Sequence, residues 1–220
     1  MSYEKLELLI GGEWKNGGAS TTEPVINPAT EEVLAELPHA SPEDLDSALQ
    51  AALDGFKVWR AKTALERQAV IAKAADLIEA SKEDIARTLT QEMGKPIVEA
   101  RIEIDFVAAV ARWYGEEGKR AYGRLVPPRL PGARQMVVKE PVGPAAAFVA
   151  WNFPGVNVIR KVAGALGAGC SIIIKPSEET PGTAVAIARC FQEAGAPPGV
   201  VNVVFGVPDE VSRHVLASPI

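Results

Sequence analysis

The chain has 220 residues, 47% apolar and 23% charged, the composition of a globular protein able to bury a sizeable core in one large domain or two small ones. Its net charge of −5 comes from 28 acidic and 23 basic residues that are interspersed, so there is no basic stripe to neutralise a nucleic-acid backbone. No apolar run is long enough to span a bilayer, and the first residues lack a basic start followed by an apolar centre; the expectation is a cytoplasmic protein with neither nucleic acid nor membrane as partner.

In chain order, "LELLIGGEWKNGG" reads as a β-hairpin turning on Gly11-Gly12, which can take positive φ, and "VINPATEEVLAEL" as a second one around Asn27-Pro28. Four helices follow. Ser41 with Asp44, Thr63 with Glu66 and Ser81 with Asp84 each place a hydroxyl three residues before an acid, the pattern of a capping box, with Pro42 at the first helical position. Leu45, Leu49, Ala52, Phe56 and Trp59 recur at helical spacing and are expected in the core. Gly94 should end the third helix, and Pro96 should open a fourth running to about Tyr122. The segment "RLVPPRLPGARQMVVKEPVG" then holds four prolines before Val142 around a strand-like "RQMVVKE"; proline removes ladder donors, so residues 124–143 are expected to form an edge or arm used in assembly.

From Ala145 the pattern becomes apolar strand, helix, apolar strand, helix: "AAAFVA", "VNVIRKVAGALGAG", "SIIIK", "TAVAIARCFQEAG", "VVNVVFG", "DEVSRHVLA". Continuous apolar strands alternating with helices predict an α/β fold, an open, mostly parallel, doubly wound sheet. Residues 1–123 would then be the N-terminal hairpins and helices of the same domain, and residues 144–220 a partial Rossmann-like unit.

Ligands of such sheets bind beyond the carboxyl ends of the strands. The residues there are Trp151-Asn152 after the first strand, Lys175-Pro176-Ser177-Glu178 after the second and Gly206 after the third. GxGxxG does not follow the first strand; Gly164, Gly167 and Gly169 have similar spacing but fall at a helix end, where close packing and a C-cap account for them. Asn152 can be read as an amide donor or as the N-cap of the next helix, and Lys175 and Glu178 as ligand-binding groups or as a solvated pair. The two cysteines, Cys170 and Cys190, fall within a strand and a helix, with no CxxC and only His39 and His214 besides; they read as buried structural residues, with no metal site and no disulfide.

"WNFP" followed one βα unit later by "KPSE", and then "EAGAPPGVVNVVFG", resembles the aldehyde dehydrogenase superfamily over essentially the whole chain, with most likeness to its succinate-semialdehyde dehydrogenase group. The resemblance implies NAD(P)-dependent oxidation of an aldehyde, such as succinate semialdehyde, to its acid. It implies that Asn152 donates to the aldehyde oxygen when a cysteine thiolate attacks. Lys175 and Glu178 would bind the adenosine ribose, the carboxylate favouring NAD with NADP as the other candidate, and Trp151, Pro176, Ser177 and Gly206 would line the cofactor cleft. Ala150 stands where the family often has Pro. The family's Gly-Ser turn under the pyrophosphate, general-base Glu and nucleophilic Cys follow this segment and have no counterpart in these residues. The expectation is therefore the N-terminal part of a longer, homo-oligomeric dehydrogenase, inactive by itself; the alternative is an inactive nucleotide-binding or assembly module.

Overall fold

The computed structural model describes residues 3–220. Both hairpins form: β1 (Leu8–Ile10) pairs antiparallel with β2 (Glu13–Lys15), and β3 (Thr22–Ile26) with β4 (Val33–Pro38). Gly11 and Gly12 take φ of +62° and +88°, the positive values that a two-residue turn between β1 and β2 requires.

Helices α1 (Pro42–Arg60), α2 (Ala64–Ala80), α3 (Lys82–Met93) and α4 (Ile97–Gly118) follow. Ser41–Asp44 and Thr63–Glu66 close reciprocal capping boxes. Ser81 does not cap α3 with its side chain: it is also the C-cap of α2, its N–H donates to Leu77 O, and its φ/ψ of −93°/10° is not the extended geometry a capping hydroxyl needs. Gly94 ends α3 in the left-handed conformation, as expected, whereas α4 stops at Gly118, four residues before Tyr122. The stripe Leu45, Leu49, Ala52, Phe56 and Trp59 is buried, and Trp59 Nε1 donates to Leu166 O at 2.9 Å, which satisfies the indole within the core.

The proline-rich segment is an arm. Its strands β5 (Arg124–Val126) and β6 (Gln135–Val137) pair only with each other, so it is a hairpin rather than the single strand expected, and both are exposed.

Beyond it, β7 (Ala145–Phe148), α5 (Pro154–Ala168), β8 (Ile172–Lys175), α6 (Pro181–Glu193), β9 (Val201–Val203) and α7 (Pro208–Ala217) alternate, and β7, β8 and β9 are parallel neighbours. Gly169 caps α5 at φ +88°, and a Cβ on Gly167 would stand 2.7 Å from Tyr114 O, so the glycine run after "VNVIRKVA" serves a helix end and a close helix crossing. The sheet order is β2-β1-β9-β8-β7: the first hairpin joins the parallel strands through Leu9↔Val203, antiparallel to β9. Helices α5 and α6 lie against β8 and β9 with α2, α3 and α4 outside them, while α1 and α7 pack together on the sheet's other side. Among the described residues, no helix is long and apolar enough to cross a membrane.

Candidate active site

The three parallel strands end together. Phe148 is in register with Lys175, Val149 N donates to Lys175 O at 3.1 Å, and Val204 N donates to Ile174 O at 3.0 Å. The turns after β7, β8 and β9 therefore share one edge of the sheet, and that edge carries all seven residues expected at the site.

Trp151 and Asn152 are exposed on the first turn. The N-cap of α5 is Phe153, with φ/ψ of −144°/70°, and no side chain caps the helix from within the turn, so capping is not the role of Asn152. Its Oδ1 instead accepts from Asn157 Nδ2 at 3.2 Å. With the oxygen engaged there, the exposed Asn152 NH₂ donates to no group among the described residues.

On the second turn Lys175 is 5% exposed, and its Nζ bonds the Glu178 carboxylate and Pro176 O, so the pair is not a solvated one. Pro176 and Ser177 are buried beside it, and Ser177 Oγ donates to Glu179. An ammonium and a carboxylate held in contact offer a donor and an acceptor to a vicinal diol, which suits a ribose. On the third turn Gly206 has φ +147°, and a Cβ there would stand 3.0 Å from Val211 Cγ2; only glycine fits. It borders a cavity of about 300 Å³ between this turn, His39 and α7. A narrow crevice along Phe148, Lys175, Val204 and Val211 follows the strand ends. A larger cavity, of about 950 Å³, lies between α3 and α6 and touches none of the seven residues.

Neither cysteine reaches this edge. Cys170 precedes β8, at the end of the strand opposite Lys175, and Cys190 is inside α6 with its thiol pushed up to about 11 by burial. Among the described residues, no group of three or more potential metal-ligating side chains occurs.

Two buried carboxylates behind these turns escaped sequence reading. Glu103 of α4 accepts from Gly155 N at 2.9 Å and Val156 N at 3.2 Å, the first turn of α5, and is paired with Lys95. Glu92 of α3 accepts from Gly182 N and Thr183 N, the first turn of α6, and from Tyr3 and Thr183 hydroxyls. A sequence signal existed: Glu103 lies within the buried stripe Ala100, Ile104, Val107, where an acid must find a partner.

An exposed amide and a buried ammonium–carboxylate pair at the carboxyl edge of the parallel strands β7–β9 stand where ligands of doubly wound α/β folds bind. The chain belongs to the aldehyde dehydrogenase family, which matches residues 14–220 and uses NAD(P). It is 47% identical over 218 residues to the 4-(hydroxymethyl)benzenesulfonate dehydrogenase TsaD1 of Comamonas testosteroni, covering 99% of this chain and 46% of that protein. It is 41% identical over 211 residues to the mitochondrial succinate-semialdehyde dehydrogenase of Arabidopsis thaliana, covering 96% and 40%. The crystal structure of succinate-semialdehyde dehydrogenase from Burkholderia pseudomallei superposes with a TM-score of 0.96 at 41% identity, covering 99% of this chain and 45% of that one. The chain thus spans about half the length of the curated relatives it matches.

Proposed function

We propose that this chain supplies the cofactor cleft and the oxyanion donor of an NAD-dependent dehydrogenase that oxidises an aldehyde carrying a remote anionic group, such as succinate semialdehyde, to its acid. The observation that carries the reading is the meeting of the Asn152 turn and the Lys175–Glu178 pair at one sheet edge. The names of two relatives support an anionic substrate, since succinate semialdehyde and 4-(hydroxymethyl)benzenesulfonate each carry a negative group distant from the carbon that is oxidised.

In this role the Asn152 NH₂ stabilises negative charge growing on the aldehyde oxygen during nucleophilic attack. Glu178 accepts from the ribose 2′-OH and meets a 2′-phosphate with like charge, while Lys175 donates to the neighbouring hydroxyl. When bound, the nicotinamide takes up the hydride. The buried thiols of Cys170 and Cys190 are not the nucleophile, because one lies at the wrong end of its strand and the other stays protonated. The exposed arm is the assembly surface.

The test uses protein expressed from its full reading frame, assayed with succinate semialdehyde and uncharged aldehydes, and with NAD and NADP. Reduction of NAD in preference to NADP, most efficient with the anionic aldehyde, is expected. Glu178→Gln should shift the ratio of kcat/KM values about tenfold toward NADP by removing the like charge. Failure to reduce either cofactor with any aldehyde would overturn the reading.

A further inference from the structure

Helices α5 and α6 open the same way. Each begins Pro-Gly, Pro154-Gly155 and Pro181-Gly182, and neither has a side-chain cap from its own turn. The N–H groups left over are taken by a carboxylate from another layer: Glu103 of α4 for α5, and Glu92 of α3 for α6. Glu92 and Glu103 are 3% and 4% exposed. The glycines make the approach possible. A Cβ on Gly155 would stand 3.2 Å from Glu103 Oε1 and 2.9 Å from Val107 Cγ2; one on Gly182 would stand 3.0 Å from Glu92 Oε1.

A helix start satisfied by its own turn is stabilised wherever the helix lies. One satisfied from another layer is also tied to that layer, and the turn before it becomes a short bridge between two anchors. The bridge before α5 runs from Val149, bonded to Lys175 O, to Gly155 on Glu103, and Asn152 is in its middle. Its flank is held as well, since the Lys95 ammonium that pairs with Glu103 lies 4.1 Å from the centroid of the Phe153 ring. The bridge before α6 runs from Lys175 to Gly182 on Glu92 and contains Ser177 and Glu178.

We propose that Glu103 and Glu92 are positioning residues that set the two halves of the site separately, Glu103 aiming the Asn152 amide and Glu92 placing the Lys175–Glu178 pair. The proposal rests on the reading of Asn152 as oxyanion donor and of Lys175–Glu178 as cofactor-binding groups. Small displacements of a catalytic donor act on the chemical step, whereas displacements of the ribose-binding pair act on cofactor affinity.

The test measures kcat and cofactor KM in protein from the full reading frame. Glu103→Gln, which turns an NH₂ onto the Lys95 ammonium, should lower kcat about tenfold and leave cofactor KM within about twofold. Glu92→Gln, which removes one of two acceptor oxygens, should raise cofactor KM about tenfold and leave kcat within about twofold. Should either protein be too unstable to purify, Phe153→Leu and Thr183→Val disturb the same two links and should show the same split at about threefold. General loss of packing would move both parameters together, or only the melting temperature, in both variants; either result overturns the proposal. Asn152→Ala and Lys175→Met serve as references. If Asn152→Ala keeps kcat or Lys175→Met keeps cofactor KM, the underlying reading of the site is wrong and the proposal falls with it. If both references behave as expected and the split is absent, only the positioning roles fall.

Discussion

At Asn152, two roles that a bare sequence leaves open are separated by one dihedral pair and one hydrogen bond. Phe153 is the N-cap of α5, and Asn157 engages the Asn152 oxygen, so the amide contributes nothing to closing the helix. Asn152→Ala should therefore lower turnover by roughly 10²–10³ while leaving the melting temperature and cofactor KM nearly unchanged; kinetics beside thermal melts would show it, and a variant that turns over normally but melts lower would mark the amide as structural. The placement of Trp151, Asn152, Lys175 and Gly206 at one sheet edge was legible because strand ends and turn residues are local features. Glu92 was not, because its partners Gly182 and Thr183 lie about ninety positions away. Burial pushes the Glu92 carboxyl up to about 7, against hydrogen bonds from Tyr3, Thr183 and Gly182 that pull it down. Its folded value exceeds the unfolded one of 4.5, so between about pH 4.5 and 7 the unfolded chain releases this proton first. Stability from this group is thus intact below that window and falls as pH rises through it, by on the order of 3 kcal/mol. Thermal melts of the parent and Glu92→Gln should show the parent's advantage shrinking across the window; a constant difference would mean the carboxyl does not titrate there.

Helix starts show how far local spacing reaches. Ser41-Asp44, Thr63-Glu66 and Ser81-Asp84 look alike in sequence, yet only the first two close. A capping hydroxyl requires an extended backbone at its own residue, and Ser81 is denied it because α2 ends on the residue from which α3 begins. Ser41→Ala and Thr63→Ala should each cost about 1 kcal/mol, whereas Ser81→Ala should stay within about 0.5 kcal/mol. Urea unfolding of the three variants is the measurement, and an equal loss at Ser81 would show that its hydroxyl does act. The same contrast holds for strands. The Gly11-Gly12 turn made the first hairpin readable, but its pairing to β9 through Leu9↔Val203 spans nearly the whole chain and has no local mark in either strand. Alternation of apolar runs with helices, by contrast, was enough to define β7, β8 and β9 as parallel neighbours.

At the scale of the whole molecule, the arm is the part whose physics is incomplete within one chain. A two-stranded hairpin is marginal in water by itself, and β5–β6 pairs with no other strand. The prolines at 127, 128 and 131 explain why the segment avoids the main sheet, and they were visible in the sequence; the return of the chain as a hairpin has only one local mark, Pro131-Gly132 inside the Leu130–Ala133 turn with Gly132 at φ +79°, because the connection from β5 to β6 is longer than a two-residue hairpin turn. The hairpin has a defined face. Leu125 and Met136 stand opposite each other in register, 80% and 71% exposed, and Val138 and Val142 extend the apolar surface toward β7. Apolar groups gathered on an exposed ribbon suit the assembly role proposed for the arm, in which another subunit would cover them. Protein from the full reading frame should accordingly run as an oligomer, and Leu125→Asp combined with Met136→Asp should reduce its mass to a smaller species by placing two uncompensated carboxylates in the contact. Light scattering during size-exclusion chromatography reads the mass directly. Because the arm makes no pairing with the core sheet, the double variant should retain the parent's helical circular dichroism; an unchanged mass in a folded double variant would rule out the arm as the assembly surface.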